Sequence, residues 1–258
     1  MKKLFLGLVL LCSSVFAGTV NIAVAANVSY AIEELIKEFN KINPNTKIQV
    51  TLGSSGKLTA QIKNGAPFNI FMSANMSFPQ ALYDENIAIT KPIIYAEGAL
   101  AIFSSKELDF SKGIDLIKDS SISKIAVANP KTAPYGAAAI EAIKNAKIGN
   151  GVESKFVFAE SISQAVTYAI TAADVGFIAK SSLYEDNMTK YKENKNWITV
   201  DPKLYTSIDQ GIVIIDHSNS LVGLIKDNNK KEEVKAFYDF ILGAKAKKIF
   251  EDYGYITK

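Results

Sequence analysis

Lys47-Ile48-Gln49-Val50-Thr51-Leu52-Gly53-Ser54-Ser55-Gly56-Lys57-Leu58 is the stretch on which the reading of this chain turns. Its first half alternates apolar and polar residues, the pattern of a strand. Its second half opens a helix with Leu58 and Ile62 on one face, closed by Ala66-Pro67. A small-residue loop between strand and helix leaves the first backbone N–H groups of the helix without intrahelical acceptors, at the positive end of the helix dipole. The hydroxyls of Ser54 and Ser55 stand beside them. Together these groups make a cradle for an anion. The plainer alternative is that Ser54 caps the helix and does nothing else.

Strand and helix patterns alternate on either side. Before the stretch come a strand at Val20–Ala25 and an amphipathic helix over Tyr30–Ile42, ended by Pro44. After it come a helix over Leu58–Asn64, a strand at Asn69–Ser73, a helix through Phe78, Ala81 and Leu82, and a strand at Ala99–Phe103. A second set follows: strand Ile125–Ala128, helix Gly136–Asn145, strand Lys155–Phe158, helix Ile162–Ala172 and strand Val175–Ala179. The end of the chain reads as strand Gly211–Ile215 and helices Val234–Leu242 and Ala244–Tyr253. This order predicts an α/β protein whose sheets are largely parallel, with helices on both faces. Two similar units are expected, residues 18–98 with 208–258 and residues 99–207, joined by crossings near Gly98 and Ser207.

Residues 1–17 have the form of an export signal. Lys2-Lys3 precede the apolar run Leu4–Leu11, and Val15-Phe16-Ala17 forms a small-residue cleavage site before Gly18. Cys12 suggests lipoprotein processing, but Leu11 before it is too large for that signal. No later segment approaches the roughly 20 apolar residues of a membrane span. A soluble, exported protein is expected. Cys12 is the sole cysteine, so the processed chain has none for a disulfide or a thiolate site.

Removing Lys2 and Lys3 lowers the formal charge from +3 to +1. The lysines are scattered, without interleaved aromatics, which disfavours nucleic acid as a partner. All 29 basic residues are lysines, so no guanidinium fork is available to clamp a carboxylate or phosphate.

Four loops ahead of helices carry small or polar residues: Ala25-Ala26-Asn27, Gly53-Ser54-Ser55-Gly56, Ala133-Pro134-Tyr135-Gly136 and Ala159-Glu160-Ser161-Ile162. In open parallel sheets ligands bind outside the carboxyl ends of the strands. Two such loops per unit, facing across a cleft, would surround one small anion with N–H and O–H donors.

These loops lie in a longer series: Val20-Asn21-Ile22-Ala23-Val24-Ala25-Ala26-Asn27, Gly53-Ser54-Ser55-Gly56-Lys57-Leu58 with Gln61-Ile62, and Gly65-Ala66-Pro67 before Phe71-Met72-Ser73-Ala74. Ala126-Val127-Ala128-Asn129-Pro130, Pro134-Tyr135-Gly136 and Asp174-Val175-Gly176-Phe177 follow, and Ala236–Phe240 through Ile249-Phe250 to Tyr253-Gly254-Tyr255 completes it. The series resembles the periplasmic molybdate-binding proteins of ABC transporters, over essentially the whole chain after residue 17. The resemblance implies a two-lobed type II binding-protein fold with two crossovers and the anion in the interlobe cleft. It also implies a monomer in the periplasm, a membrane permease as partner, molybdate or tungstate as ligand, no cofactor and no catalysis.

The resemblance carries particular residues with it. The first-loop donor falls on Asn27, through side chain or backbone, with Ala26 beside it; the serine of the second loop falls on Ser55. Backbone donors fall on Tyr135 and Ile162. Many members of the family have serine where Asn27 stands, and an asparagine amide can still donate. Many place a tyrosine hydroxyl where this chain has Ala179, so that donor is missing. Tyr135 is left with two options, its hydroxyl or only its N–H.

The chemistry of the loops agrees with such a ligand. A fully ionised tetrahedral dianion offers acceptors and no donors, which suits a site of neutral donors. Protonated phosphate would also need an acceptor. Sulfate differs from molybdate in size, so another tetrahedral oxyanion, sulfate or phosphate, stays the alternative. Glu160 is expected to point outward, and Lys57 to be solvated. A nucleotide P-loop does not fit, because the spacing is short and Leu58 replaces the Ser or Thr that binds magnesium. A serine hydrolase would need a base, and the sole histidine, His217, reads as a surface-loop residue. Trp197, in the strand-like run Asn196–Val200, reads as a packing residue rather than a sugar-stacking one.

Overall fold

A computed structural model describes residues 18–148, 151–215 and 228–257. The export signal expected over residues 1–17, Cys12 and His217 lie outside the described residues. The strands of the first half are β1 (Thr19–Ala25), β2 (Lys47–Gly53), β3 (Ile70–Met72), β4 (Ile93–Gly98) and β5 (Leu100–Phe103). Those of the second half are β6 (Ile125–Ala128), β7 (Phe156–Ala159), β8 (Val175–Ala179), β9 (Trp197–Thr199) and β10 (Ile208–Ile214). The helices are α1 (Ile32–Ile42), α2 (Ser55–Lys63), α3 (Ser77–Asp84), α4 (Pro134–Asn145), α5 (Ile162–Thr171), α6 (Asn228–Leu242) and α7 (Ala244–Asp252).

The strands form two five-stranded sheets with the same plan, β2-β1-β3-β10-β4 and β7-β6-β8-β5-β9. In the first, β1 pairs parallel with β2 and β3, and β10 runs antiparallel to both β3 and β4. In the second, β6 pairs parallel with β7 and β8, and β5 runs antiparallel to β8 and β9. The sheets are therefore mixed, where the alternating elements predict largely parallel ones. The reversed strand in each sheet is the one that has just crossed from the other. β4 runs out through Gly98 directly into β5, so β5 enters its sheet from the opposite end, and β10 does the same on the return. The two crossings lie side by side: Gly98 pairs with Ile208, and the Leu100 N–H donates to Tyr205 Oη at 3.1 Å.

Each sheet is covered on both faces, as continuous apolar runs such as Ile125-Ala126-Val127-Ala128 require. One face of the first sheet packs Val20, Ile22 and Val24 against Leu35 and Phe39 of α1 and Phe237 and Ile241 of α6. Its other face packs Ala23 and Phe71 against Leu58, Ile62 and Leu82 of α2 and α3. The core of the second sheet reaches out of its own lobe to Ala25, Ala26 and Ala74. The two lobes are thus in contact.

Three local departures matter. The helix expected over Tyr30–Ile42 starts later, at Ile32, because a 3-10 turn at Ala26–Tyr30 comes first and buries Asn27 completely. Helices α2 and α4 begin earlier than their apolar periodicity predicts, at Ser55 and Pro134. Proline suits that first position, having no N–H to leave unpaired. Strand β4 carries no alternation in its sequence; it is an edge strand, and Ile93 and Ile94 are both exposed. Trp197 sits in β9 as expected, and its Nε1 donates to the Tyr191 carbonyl at 3.3 Å.

Candidate functional site

A small cavity of about 10 Å³ lies where the four loops converge between the lobes. Ala25, Ala26 and Asn27 line it from the end of β1, and Gly53, Ser54 and Ser55 from the end of β2. Ala74 closes that side. Ala133, Pro134 and Tyr135 face them from the start of α4, and Ile162 from the start of α5. All five residues to which the sequence assigns anion contacts, Ala26, Asn27, Ser55, Tyr135 and Ile162, meet here. No charged residue is among the lining.

Ser55 is the first residue of α2 and is buried. Its Oγ accepts the Ala74 N–H at 2.9 Å. A hydroxyl has one proton to donate. With a lone pair committed to Ala74, that proton is directed elsewhere, and the cavity is the space Ser55 borders. The first helical bond of α2 runs from the Leu58 N–H to the Ser54 carbonyl at 3.0 Å, which leaves the N–H groups of Ser55, Gly56 and Lys57 without helical acceptors. Gly56 sends its own across the cleft to the Thr132 carbonyl at 2.9 Å.

The second lobe presents the start of two helices. Pro134 begins α4, and Gly136 and Ala137 both donate to the Ala133 carbonyl, at 2.9 and 3.1 Å. Helix geometry leaves the Tyr135 N–H free to face the cavity. Glycine is required next to it, because a Cβ at position 136 would stand 2.0 Å from the Ala128 carbonyl oxygen. In α5, Ser161 Oγ caps the Gln164 N–H at 3.3 Å, and Gln164 Oε1 accepts the Glu160 N–H at 2.6 Å. These bonds leave the Ile162 N–H, at the first helical position, as the group α5 offers the cavity.

The geometry of Tyr135 bears on one of the open alternatives. Its ring runs back toward the crossings, where its hydroxyl accepts from Gln210 Nε2 at 3.3 Å. A Cβ on Gly98 would lie 2.0 Å from that hydroxyl. The hydroxyl is therefore packed beside the crossings, and the group of Tyr135 left without a helical acceptor is its N–H.

The side chain of Asn27 bears on whether it could donate through its amide or its backbone. Its Nδ2 donates to Gln210 Oε1 at 2.8 Å and to Tyr255 Oη at 3.0 Å, so neither amide hydrogen is left for a ligand. Its Oδ1 is buried without a partner among the described residues. Gln210 Oε1 also accepts from Tyr95 Oη at 2.8 Å, and Tyr255 Oη donates to the Asn27 carbonyl at 2.7 Å. Ser181, from the second lobe, donates to the same carbonyl at 3.1 Å. Ala179 does not border the cavity. Gln210, Tyr95, Tyr255 and Ser181 support the site from behind, yet lie too far from Asn27 in sequence for any local pattern to connect them.

Three of these groups are phenols that burial keeps protonated. Burial pushes Tyr95 and Tyr135 well above the usual range, and Tyr255 up to about 12. The scaffold behind the cavity is thus as neutral as its lining. Outside, Lys57 pairs with Glu160 across the cleft. Glu160 points outward as expected, but Lys57 is paired with it rather than simply solvated. Among the described residues no cluster of His, Cys, Asp or Glu could hold a metal ion.

Two five-stranded sheets joined by a double crossing, with a cleft site at the ends of their strands, define a two-lobed type II binding protein. The chain belongs to the family of bacterial extracellular solute-binding proteins, whose pattern it matches over residues 20–256. It is 35% identical over 245 residues to the molybdate-binding protein ModA of Rhodobacter capsulatus, covering 94% of this chain and 90% of that one. It is 32% identical over 252 residues to the ModA of Azotobacter vinelandii, covering 97% and 94%. Among solved structures, it superposes on an Azotobacter vinelandii periplasmic molybdate-binding protein with a TM-score of 0.82 and 26% identity, over 93% of this chain and 99% of the other.

Proposed function

We propose that this protein captures molybdate or tungstate outside the cytoplasm and delivers it to the membrane permease of an ABC importer. The observation that carries the reading is the cavity's chemistry. Ser55 and the first residues of α4 and α5 line one space between the lobes, and no charged side chain is among that lining. Donors with no charged side chain among them in the lining suit a small dianion that has only acceptors to offer. The relatives named for molybdate support the choice of ligand.

In this reading residues 18–98 with 208–258 form one lobe and 99–207 the other, with hinges near Gly98 and Ser207. Ala26, Asn27 and Ser55 serve from the first lobe, and Tyr135 and Ile162 from the second. Neither lobe alone surrounds a tetrahedral ion, so ligand stabilises the closed arrangement over an open one. The protein works as a monomer, needs no cofactor and performs no reaction. It reaches the periplasm through the signal in residues 1–17.

One atom favours a second reading. Asn27 Oδ1, an unpaired buried acceptor, would suit an oxyanion that keeps a proton, such as hydrogen phosphate. A thermal-shift series with molybdate, tungstate, sulfate, phosphate, amino acids and sugars tests the class of ligand, since a ligand bound only by the native state raises the melting temperature. Stabilisation by oxyanions alone supports the proposal. Stabilisation by sugars or amino acids instead would remove it.

A further inference from the structure

Ser54 stands at the N-cap position of α2, with the extended backbone usual there (φ −68°, ψ 144°), and yet its side chain makes no capping bond. Its Oγ is buried and has no partner among the described residues. The residue is 4% exposed and lines the interlobe cavity. A buried hydroxyl without a partner is costly and uncommon, and so calls for an explanation. The usual one for a serine here, a cap on the N–H two or three residues on, does not apply.

We propose that Ser54 is a second hydroxyl donor to the bound anion, and the one whose direction adapts to the ligand. This rests on the oxyanion reading above. The two neighbouring serines differ in what they can do. Ser55 Oγ is held by the Ala74 N–H, which fixes it as a donor toward the cavity. Ser54 Oγ is held by nothing, so its proton and its lone pairs are both available. Toward a fully ionised dianion it donates. Toward an oxyanion that carries a proton it can accept as well. Ser54 therefore contributes affinity for molybdate and governs how far a protonated competitor is tolerated.

Two variants separate this role from capping. Glycine serves nearly as well as serine at an N-cap, whereas alanine does not. A capping Ser54 would thus be replaced without loss by Ser54→Gly and damaged by Ser54→Ala. A ligand-donating Ser54 is lost equally in both. Calorimetric titration of each variant and the unmodified protein with sodium molybdate, alongside melting curves without ligand, gives the comparison. The expected result is about ten-fold or more weaker binding in both variants, the effect of losing a hydrogen bond to a charged group. The ligand-free melting temperature of Ser54→Ala should be unchanged or raised, since a buried unpaired hydroxyl is gone. Binding as tight as the original in Ser54→Gly would overturn the proposal. If the unmodified protein binds no tetrahedral oxyanion, the functional reading falls and this inference with it. If it binds and both variants bind as tightly as the unmodified protein, only this inference falls.

Discussion

The Gly56 N–H donates to the Thr132 carbonyl at 2.9 Å, tying the first turn of α2 to the other lobe beside the cavity. A Cβ at position 56 would stand 3.0 Å from Thr132 Cα, closer than such atoms normally approach. Glycine is what lets the two backbones meet. Gly56→Ala should hold the lobes apart while leaving α2 intact, since alanine favours a helix by about 1 kcal/mol over glycine. Several-fold weaker oxyanion binding is expected. Small-angle scattering at saturating ligand should give a larger radius of gyration than in the unmodified protein. Identical affinity and radius would show that this contact does not limit closure.

Ser55→Ala should weaken anion binding by roughly 1.5–3 kcal/mol, the range for a hydrogen bond to a charged group. From sequence alone the substitution touches only the ligand. The bond from Ala74 adds a second effect, because alanine leaves that buried N–H without an acceptor. Ligand-free stability should fall too, by about 1–3 kcal/mol. Urea unfolding and calorimetry on the same variant measure the two losses separately. Unchanged affinity would reduce Ser55 to a brace for Ala74.

Lys57 and Glu160 pair across the cleft, with their side chains 49% and 58% exposed. Exposed pairs contribute roughly 0–1 kcal/mol and are weakened by salt. Glu160→Gln should therefore cost at most about five-fold in affinity at low ionic strength, and less at high. A loss that is large and insensitive to salt would mean that the pair does more than hold the closed lobes together.

The buried phenols set an alkaline limit. Burial raises Tyr255 from 10 to about 12 in the folded protein, and also raises Tyr95 and Tyr135 well above 10. A group whose folded value is raised contributes stability in full below its unfolded value and loses it as pH rises through the folded one. Unfolding free energy should thus fall from about pH 10 upward, and the Tyr255 share should be gone by about pH 12. Denaturant unfolding between pH 8 and 12 tests this, and Tyr255→Phe should flatten the slope. No decline across that window would contradict the burial of these hydroxyls.

Most strands and helices were legible because the chain alternates strictly between continuous apolar runs and 3.6-residue periodicity. The reversed β5 and β10 were not, since strand direction depends on the end at which the chain enters a sheet. Edge strand β4 escaped notice because it buries only part of its surface. At the site, the residues that line the cavity could be read from loops that precede helices, a local feature, and from the resemblance those loops carry. The fate of the Asn27 amide could not. It is decided by Gln210 and Tyr255, 183 and 228 residues away in the chain, which claim both its hydrogens. Ser54 shows the reverse case: its position in sequence suggests a cap, and only its surroundings show that it makes none.

The central claim is that this cleft of neutral donors takes molybdate or tungstate, fully ionised tetrahedral dianions larger than sulfate, in preference to other oxyanions. Calorimetric titration of the unmodified protein with molybdate, tungstate, sulfate and phosphate at neutral pH tests it most directly. Tight binding of molybdate or tungstate, with sulfate and phosphate weaker by at least a hundred-fold (about 2.7 kcal/mol), is the predicted result. Phosphate or sulfate binding as tightly as molybdate would contradict it.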